Sequence, residues 1–206
     1  MKKLFRIISA VFSPLIVPCY ALTLALCTTG LSIIPLRMRL GVIGICALII
    51  CIMPAIAVFA LYRAGIVTDP GLNLRKERTL PYCITMGCYL VCAYYLYHIS
   101  APLWLIGIMI GAMLAILINL IVNLRWKISG HMAAMGGLVA VDFFITLNGL
   151  AVTAMLWTTI VTILLAGLVG TARIGLDRHT PMQVLAGTVN GFVCVYLCSW
   201  LLSLIG

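Results

Sequence analysis

Hydrophobic positions in this chain run together in long blocks, and polar positions are confined to the short breaks between them. A block of about 20 apolar residues is the length of a helix that crosses a bilayer. Seven blocks are predicted as helices: 7–29 with kinks at Pro14 and Pro18, 41–61 with a kink at Pro54, 82–97, 103–123, 132–147, 151–170 and 182–204. The expected fold class is all-α, a polytopic transmembrane helical bundle of six to seven spans. Residues 1–206 form one domain, with residues 1–40 as an N-terminal helix and turn.

Composition agrees with the pattern. Hydrophobic residues make up 65% and charged residues 8%, against roughly 25% charged in soluble domains, so a soluble domain of this length is excluded. The basic start, Met1-Lys2-Lys3-Leu4-Phe5-Arg6, has the form of a signal peptide. Pro14 and Pro18 interrupt the run that follows and no small-x-small site comes after it, so a retained first helix is expected. The nine cysteines fall almost wholly inside apolar blocks without C-x-x-C, which reads as small core residues. Ala133, Ala134, Gly136, Gly137, Gly187 and Gly191 are small residues suited to close helix packing. Tyr94, Tyr95, Tyr97 and His98 form an aromatic belt, and Trp104, Trp126, Trp157 and Trp200 read as interface anchors. Asp69 reads as a turn residue beside Pro70-Gly71. Asp142, inside a block, reads as reaching water at the interface beyond Asn148.

The net charge of +9, from 13 Lys+Arg against 4 Asp+Glu, admits two sources: the positive bias of cytoplasmic loops, or an anionic ligand such as a phosphate. Placement favours the ligand. Three charged breaks, 63–81, 125–131 and 172–181, are each separated by two spans, so all three lie at one end of the bundle. That end collects Arg75, Lys76 and Arg78, then Lys127, Ser129 and His131, then Arg173, Arg178 and His179. Two histidines among cations, with few carboxylates, make a poor metal site and a good phosphate site. Arginine forks bind phosphoryl oxygens, Ser-Gly before a helix offers backbone N–H groups, and histidine can act as nucleophile or acid. Alone, either histidine would read as an interfacial residue.

Ser129-Gly130-His131 and Arg173-x5-His179, preceded by the arginine-rich loop, resemble the type 2 phosphatidic acid phosphatase (PAP2) superfamily over about residues 60–195. The motifs of that superfamily read K-x6-R-P, P-S-G-H and S-R-x5-H-x3-D. Here Thr79 follows Arg78, Gly71 stands where the lysine is expected, Ile128 replaces proline, Ala172 replaces serine and Gln183 replaces aspartate. The resemblance implies a small bacterial-type membrane phosphatase that hydrolyses a lipid phosphate through a phosphohistidine. It implies His179 as nucleophile, His131 as general acid, and Arg173 with Arg75, Lys76, Arg78, Ser129 and Gly130 around the phosphate. Gln183 would orient His179 through its amide oxygen, and Lys127 and Arg178 would contact the head group. No cofactor or metal is implied. The expected partners are the bilayer and a lipid phosphate (phosphatidate, phosphatidylglycerol phosphate, an isoprenyl pyrophosphate or a lipid A phosphate), with no nucleic acid. The expected location is a bacterial inner membrane with the active face periplasmic. That orientation conflicts with Lys2, Lys3 and Arg6 if the first block crosses, so either the block does not fully cross or the N-terminus lies along the interface. A phosphotransferase, or a non-catalytic lipid-phosphate binder or transporter, are the alternatives.

Overall fold

A computed structural model describes residues 1–69, 71 and 74–205, apart from the side chain of Arg75. The helices are α1 (Lys2–Val11), α2 (Val17–Thr28), α3 (Leu36–Ala47), α4 (Met53–Arg63), α5 (Thr79–His98), α6 (Leu103–Asn123), α7 (Gly130–Leu147), α8 (Leu156–Gly175) and α9 (Pro181–Ser203). Among the described residues the sole β pairing is an isolated bridge between Thr29 and Ala151. Six helical stretches are long and apolar enough to cross a membrane, and the chain is an integral membrane protein. One of them, Leu36–Arg63, joins α3 to α4 through a π-helical turn at Leu48–Ile52. The wider turn precedes Pro54, whose missing N–H and ring disturb the preceding helical turn.

The first apolar block departs from expectation. It is two helices and not one kinked span. Ser13-Pro14 breaks it, and Pro18 sits in the first turn of α2, where its missing N–H would have had no partner in any case. With 10 residues, α1 is about 15 Å long, half of a hydrocarbon core. It lies across the end of the bundle that carries the charged loops. Lys2 reaches Asp177 at 3.5 Å, the Phe5 ring occupies the space beside Gly175, and the Ser9 carbonyl meets His131. Helix α2 then descends through the bundle to the opposite end. There Val152 N–H donates to the Thr28 carbonyl at 2.8 Å, and Arg39 donates to the Ile34 carbonyl and to that of Leu26, an oxygen freed in the last turn of α2. The chain thus begins at the charged end, with α1 laid across it.

Helix α8 also shifts, from the expected 151–170 to Leu156–Gly175. Pairing of Ala151 and Val152 with residues 28 and 29 holds that stretch extended, so the helix starts late. At its other end the helix continues through Arg173, which falls in the last turn, where a cation suits the carbonyl end of the helix.

Helix α9 packs between α6 and α7, and glycine makes the approach possible. A Cβ on Gly187 would meet the Ser129 carbonyl at 2.5 Å, and one on Gly191 would collide with the Ala133 backbone. On the other flank, Gly107 and Gly111 leave room for the backbones of Ser199 and Val195. Such backbone contact is the usual service of small residues between membrane helices. It also locks the starts of α7 and α9 together, with Ser129 N–H donating to the Gln183 carbonyl at 3.3 Å.

Asp142 does not reach the far interface. It is fully buried, and neither carboxylate oxygen has a hydrogen-bond partner among the described residues. Helix α7 is wrapped by α2, α6, α8 and α9, so a position near its end is still interior. Trp157 is well exposed as an anchor should be, whereas Trp104 packs its ring on Phe144 at 5.8 Å. All nine cysteines are free.

Candidate active site

Three helix termini meet at the charged end. The first is the start of α7. Ser129 is its N-cap: the hydroxyl accepts from Met132 N–H at 3.4 Å, and the residue is wholly buried. Its oxygen therefore serves the helix and does not line the cavity described below, unlike the expected role at a phosphate. Gly130 and His131 do line it. His131 Nε2 lies 3.1 Å from the Ser9 carbonyl. A carbonyl only accepts, so His131 carries its proton on Nε2 and donates it to α1.

The second terminus is the turn from α8 to α9. Asp177 takes a left-handed conformation, φ 56°, which acidic side chains tolerate in turns, and this turns the chain sharply. Thr180 then caps α9 in a reciprocal capping box with Gln183. Gln183 Oε1 receives Thr180 N–H at 3.3 Å and lies 3.1 Å from His179 Nδ1. The backbone N–H can only donate, so the Gln183 atom is the oxygen, and His179 Nδ1 must be the protonated nitrogen. The His179 lone pair is left on Nε2. This is the geometry expected for an amide in the orienting position. Asp177 takes no part in it: the carboxylate is exposed and its partner is Lys2.

The third terminus is the start of α5. Arg78 is buried there and donates from Nη1 to the Ile128 carbonyl at 3.4 Å, which ties the first charged loop to the second. Lys76 is exposed and lies outside the cavity. For Arg75 only the backbone, in the short helix Arg75–Arg78, is described; its expected role lies outside the described side chains. Glu77 is turned away, accepting from Thr68 N–H and Oγ1.

These termini surround the mouth of a cavity of about 920 Å³. Arg78, His131, Arg173, Arg178 and His179 line its polar end, and no carboxylate does among the described residues. Burial and the surrounding cations both act on the titrating groups. His179 is lowered from 6.5 to about 4, first by burial and then by Arg173, Lys127 and Arg78, against a raising contribution from Gln183. Lys127 is lowered as well, by burial and by Arg78, Arg178 and Arg173. His179 is therefore neutral at pH 7. The Arg173 Nε–H is buried and has no partner among the described residues, an N–H held ready for an acceptor. Away from these residues the cavity is apolar, lined by the buried Val17, Ala21, Ile108 and Leu138 among others.

Sequence reasoning missed four residues at this end: Lys2, Arg6, Ser9 and Tyr82. The first three share one face of α1 by their spacing, a signal that was present but hidden by treating 7–29 as one span. The Tyr82 hydroxyl abuts Gly130, where an added Cβ would meet it at 3.3 Å.

The family model for the PAP2 superfamily matches residues 125–205, the stretch that holds all of α7, α8 and α9. No curated protein and no solved structure matches the chain.

Proposed function

We propose that this member of the PAP2 superfamily, matched over residues 125–205, is a lipid-phosphate phosphatase working through a phosphohistidine. The observation that carries the reading is the setting of His179. Its Nδ1–H is held by Gln183, its Nε2 lone pair is free, and it is neutral beside Arg78 and Arg173. A neutral imidazole whose other nitrogen is fixed is an activated nucleophile, and nearby arginines are where charge accumulates on a transferring phosphoryl group.

The steps follow from these positions. Arg173 and Arg78 hold the phosphoryl oxygens, with the Gly130 amide at the start of α7 as a further donor. His179 Nε2 attacks phosphorus, the P–O bond to the lipid breaks, and its electron pair goes to the lipid oxygen. His131, entering the step doubly protonated with its Nε2–H kept on the Ser9 carbonyl, gives its Nδ1 proton to that oxygen. Water then attacks the phosphohistidine while His131 takes up its proton, so phosphate leaves and both histidines return to their starting state. Arg178, which lines the cavity, and Lys127, which lies near the same arginines but does not line it, are the head-group contacts. The apolar part of the cavity suits the hydrocarbon tail of a lipid, which an aqueous phosphoester does not have.

With the active end outside the cytoplasm, the N-terminal cations lie on that side too. This is consistent with Lys2 and Arg6 lining the cavity, where they serve a ligand and not the charge bias of loops.

The test is phosphate release from a panel of lipid phosphates by purified protein in nanodiscs. Release is expected from at least one lipid, together with an acid-labile phosphoprotein that His179→Ala abolishes. No release from any lipid, with binding retained, would make the protein a lipid-phosphate binder. Transfer to a second lipid without release would make it a phosphotransferase.

A further inference from the structure

The cavity mouth holds more positive charge than one phosphoryl group needs. Beyond Arg78, Arg173 and Arg178, it is lined by Lys2 and Arg6 of α1, with Ser9 and Ser13 on the same face. These four positions follow the helical spacing of α1 and the turn after it. Apart from the exposed Lys3, the rest of α1 is apolar: Phe5 packs beside Gly175 and Ile8 against the core, while Leu4, Ile7 and Val11 are exposed. The helix is thus clamped with its polar stripe toward the cavity.

Two observations show a stripe prepared for a ligand. The Ser9 hydroxyl is buried, 7% exposed for the residue, and its oxygen has no hydrogen-bond partner among the described residues. A buried hydroxyl left in that state is costly unless a ligand or water completes it. Arg6 has no hydrogen-bond or ion-pair partner among the described residues either. Lys2 is engaged only by Asp177 at 3.5 Å in a pair that is largely exposed, a contact of small strength that an anion can displace. Position is set independently by the Ser9 carbonyl, which receives His131 Nε2–H. One end of the stripe is thereby anchored beside the phosphoryl site.

We propose that Lys2, Arg6 and the Ser9 hydroxyl form a second anion subsite, adjoining the phosphoryl site, that takes a second negatively charged group of the same lipid. This rests on the reading of the cavity as a lipid-phosphate site. Two head-group chemistries supply such a group: a diphosphate, and a phosphodiester next to a terminal phosphomonoester. A lipid with a single phosphoryl group leaves the α1 cations unused.

The experiment measures equilibrium binding by the His179→Ala protein in nanodiscs, so that no turnover is needed. Three lipids are compared: phosphatidate, an isoprenyl diphosphate and phosphatidylglycerol phosphate. Each is measured with and without the added pair Lys2→Gln and Arg6→Gln. The pair is expected to weaken binding of one or both doubly charged lipids by about tenfold, as for loss of a charge-assisted hydrogen bond, and of phosphatidate by less than about threefold. Which doubly charged lipid responds identifies the source of the second group. Equal weakening of all three lipids, or no weakening of any, overturns the subsite. Adding Ser9→Ala should extend the loss on the responsive lipid alone. Phosphate release by the wild-type protein is scored separately. Its absence, with the selective binding loss present, would sink the phosphatase reading and leave the subsite standing.

Discussion

The two ends of the bundle each present a histidine at a helix terminus, and they differ in everything that surrounds it. At the far end His98 closes α5, is exposed, and lies edge-on to Tyr94 with ring centroids 4.4 Å apart. It has aromatic neighbours and open surroundings, as in an interfacial belt. At the charged end His179 is buried, hydrogen-bonded through one nitrogen and flanked by cations. The far end is closed by backbone pairing between residues 28–29 and 151–152. The charged end is closed by α1, a helix whose polar face looks inward. Residue type does not distinguish these histidines; what distinguishes them is that three helix starts and one helix end converge around only one of them.

That contrast can be broken most severely at His179 itself. His179→Ala should cost at least about a thousandfold in phosphate release, the scale of removing a nucleophile, with the unfolding temperature unchanged. His98→Ala should alter neither. Equal losses in the two variants would mean that the charged end has no special chemistry.

Next in size is the packing that brings the termini together. Gly191→Val places a branched side chain against the Ala133 backbone, so α7 and α9 must separate. Loss of a monodisperse folded peak, or a fall of many degrees in unfolding temperature, is expected. Full stability with intact activity would show that the α7–α9 contact does not position the site.

Gln183 offers a finer test. Gln183→Leu removes the acceptor for both His179 Nδ1–H and Thr180 N–H. A fall in kcat of about 10- to 100-fold is expected, as for orienting partners generally, with KM little changed. Gln183→Asp should act in the other direction, because a carboxylate stabilises the imidazolium that forms and the first turn of α9 favours negative charge. A drop in kcat for the aspartate variant would show that this position orients something other than His179.

The pH response sharpens the electrostatic side of the comparison. His179 is held at about 4 against an ordinary 6.5, so protonation is harder in the folded protein than in the unfolded chain. The stability this group contributes is therefore complete above about 6.5 and is lost as pH falls through about 4. Ring-nitrogen NMR of selectively labelled protein should find His179 neutral throughout the range from pH 7 to 5. A midpoint near 6.5 would contradict the burial and cation crowding seen here. The smallest effect is expected away from both ends: Asp142→Asn removes a buried acid without partners among the described residues, and should leave phosphate release unchanged and the unfolding temperature equal or slightly higher.

Much of this was legible in the linear pattern, and for identifiable reasons. Six of the long helices follow from apolar blocks, because a bilayer admits little else across its core. The convergence of Arg78, His131, Arg173 and His179 follows from counting spans, since short loops cannot carry their charges far. The Gln183 contact to His179 follows from the i, i+4 spacing together with the Thr180 cap. Gly187 and Gly191 announced a close helix contact. The first apolar block left open a kinked span or a broken one with the N-terminus along the interface, because a proline can kink a helix or begin one, and the packing of α1 on α8 decides for the broken form. Ser129 was assigned to the phosphate, but the first free N–H groups of α7 claim its hydroxyl. Asp142 was placed by its distance from a turn, which says nothing about how many neighbours wrap the helix.

The membrane class, the order of the spans, the end at which charge collects and the residue types that meet there were all readable from the linear chain. These depend on local length, hydropathy and parity, which tertiary contacts do not alter. Which nitrogen of His131 holds its proton emerged only from the packed molecule, since its partner, the Ser9 carbonyl, is distant in the chain, whereas for His179 the partners Gln183 and Thr180 N–H are local to the α9 cap. Only the tertiary structure, likewise, turned Lys2, Arg6 and Ser9 from a basic leader into a wall of the cavity, because the direction an amphipathic helix faces is set by what its apolar side finds to pack against.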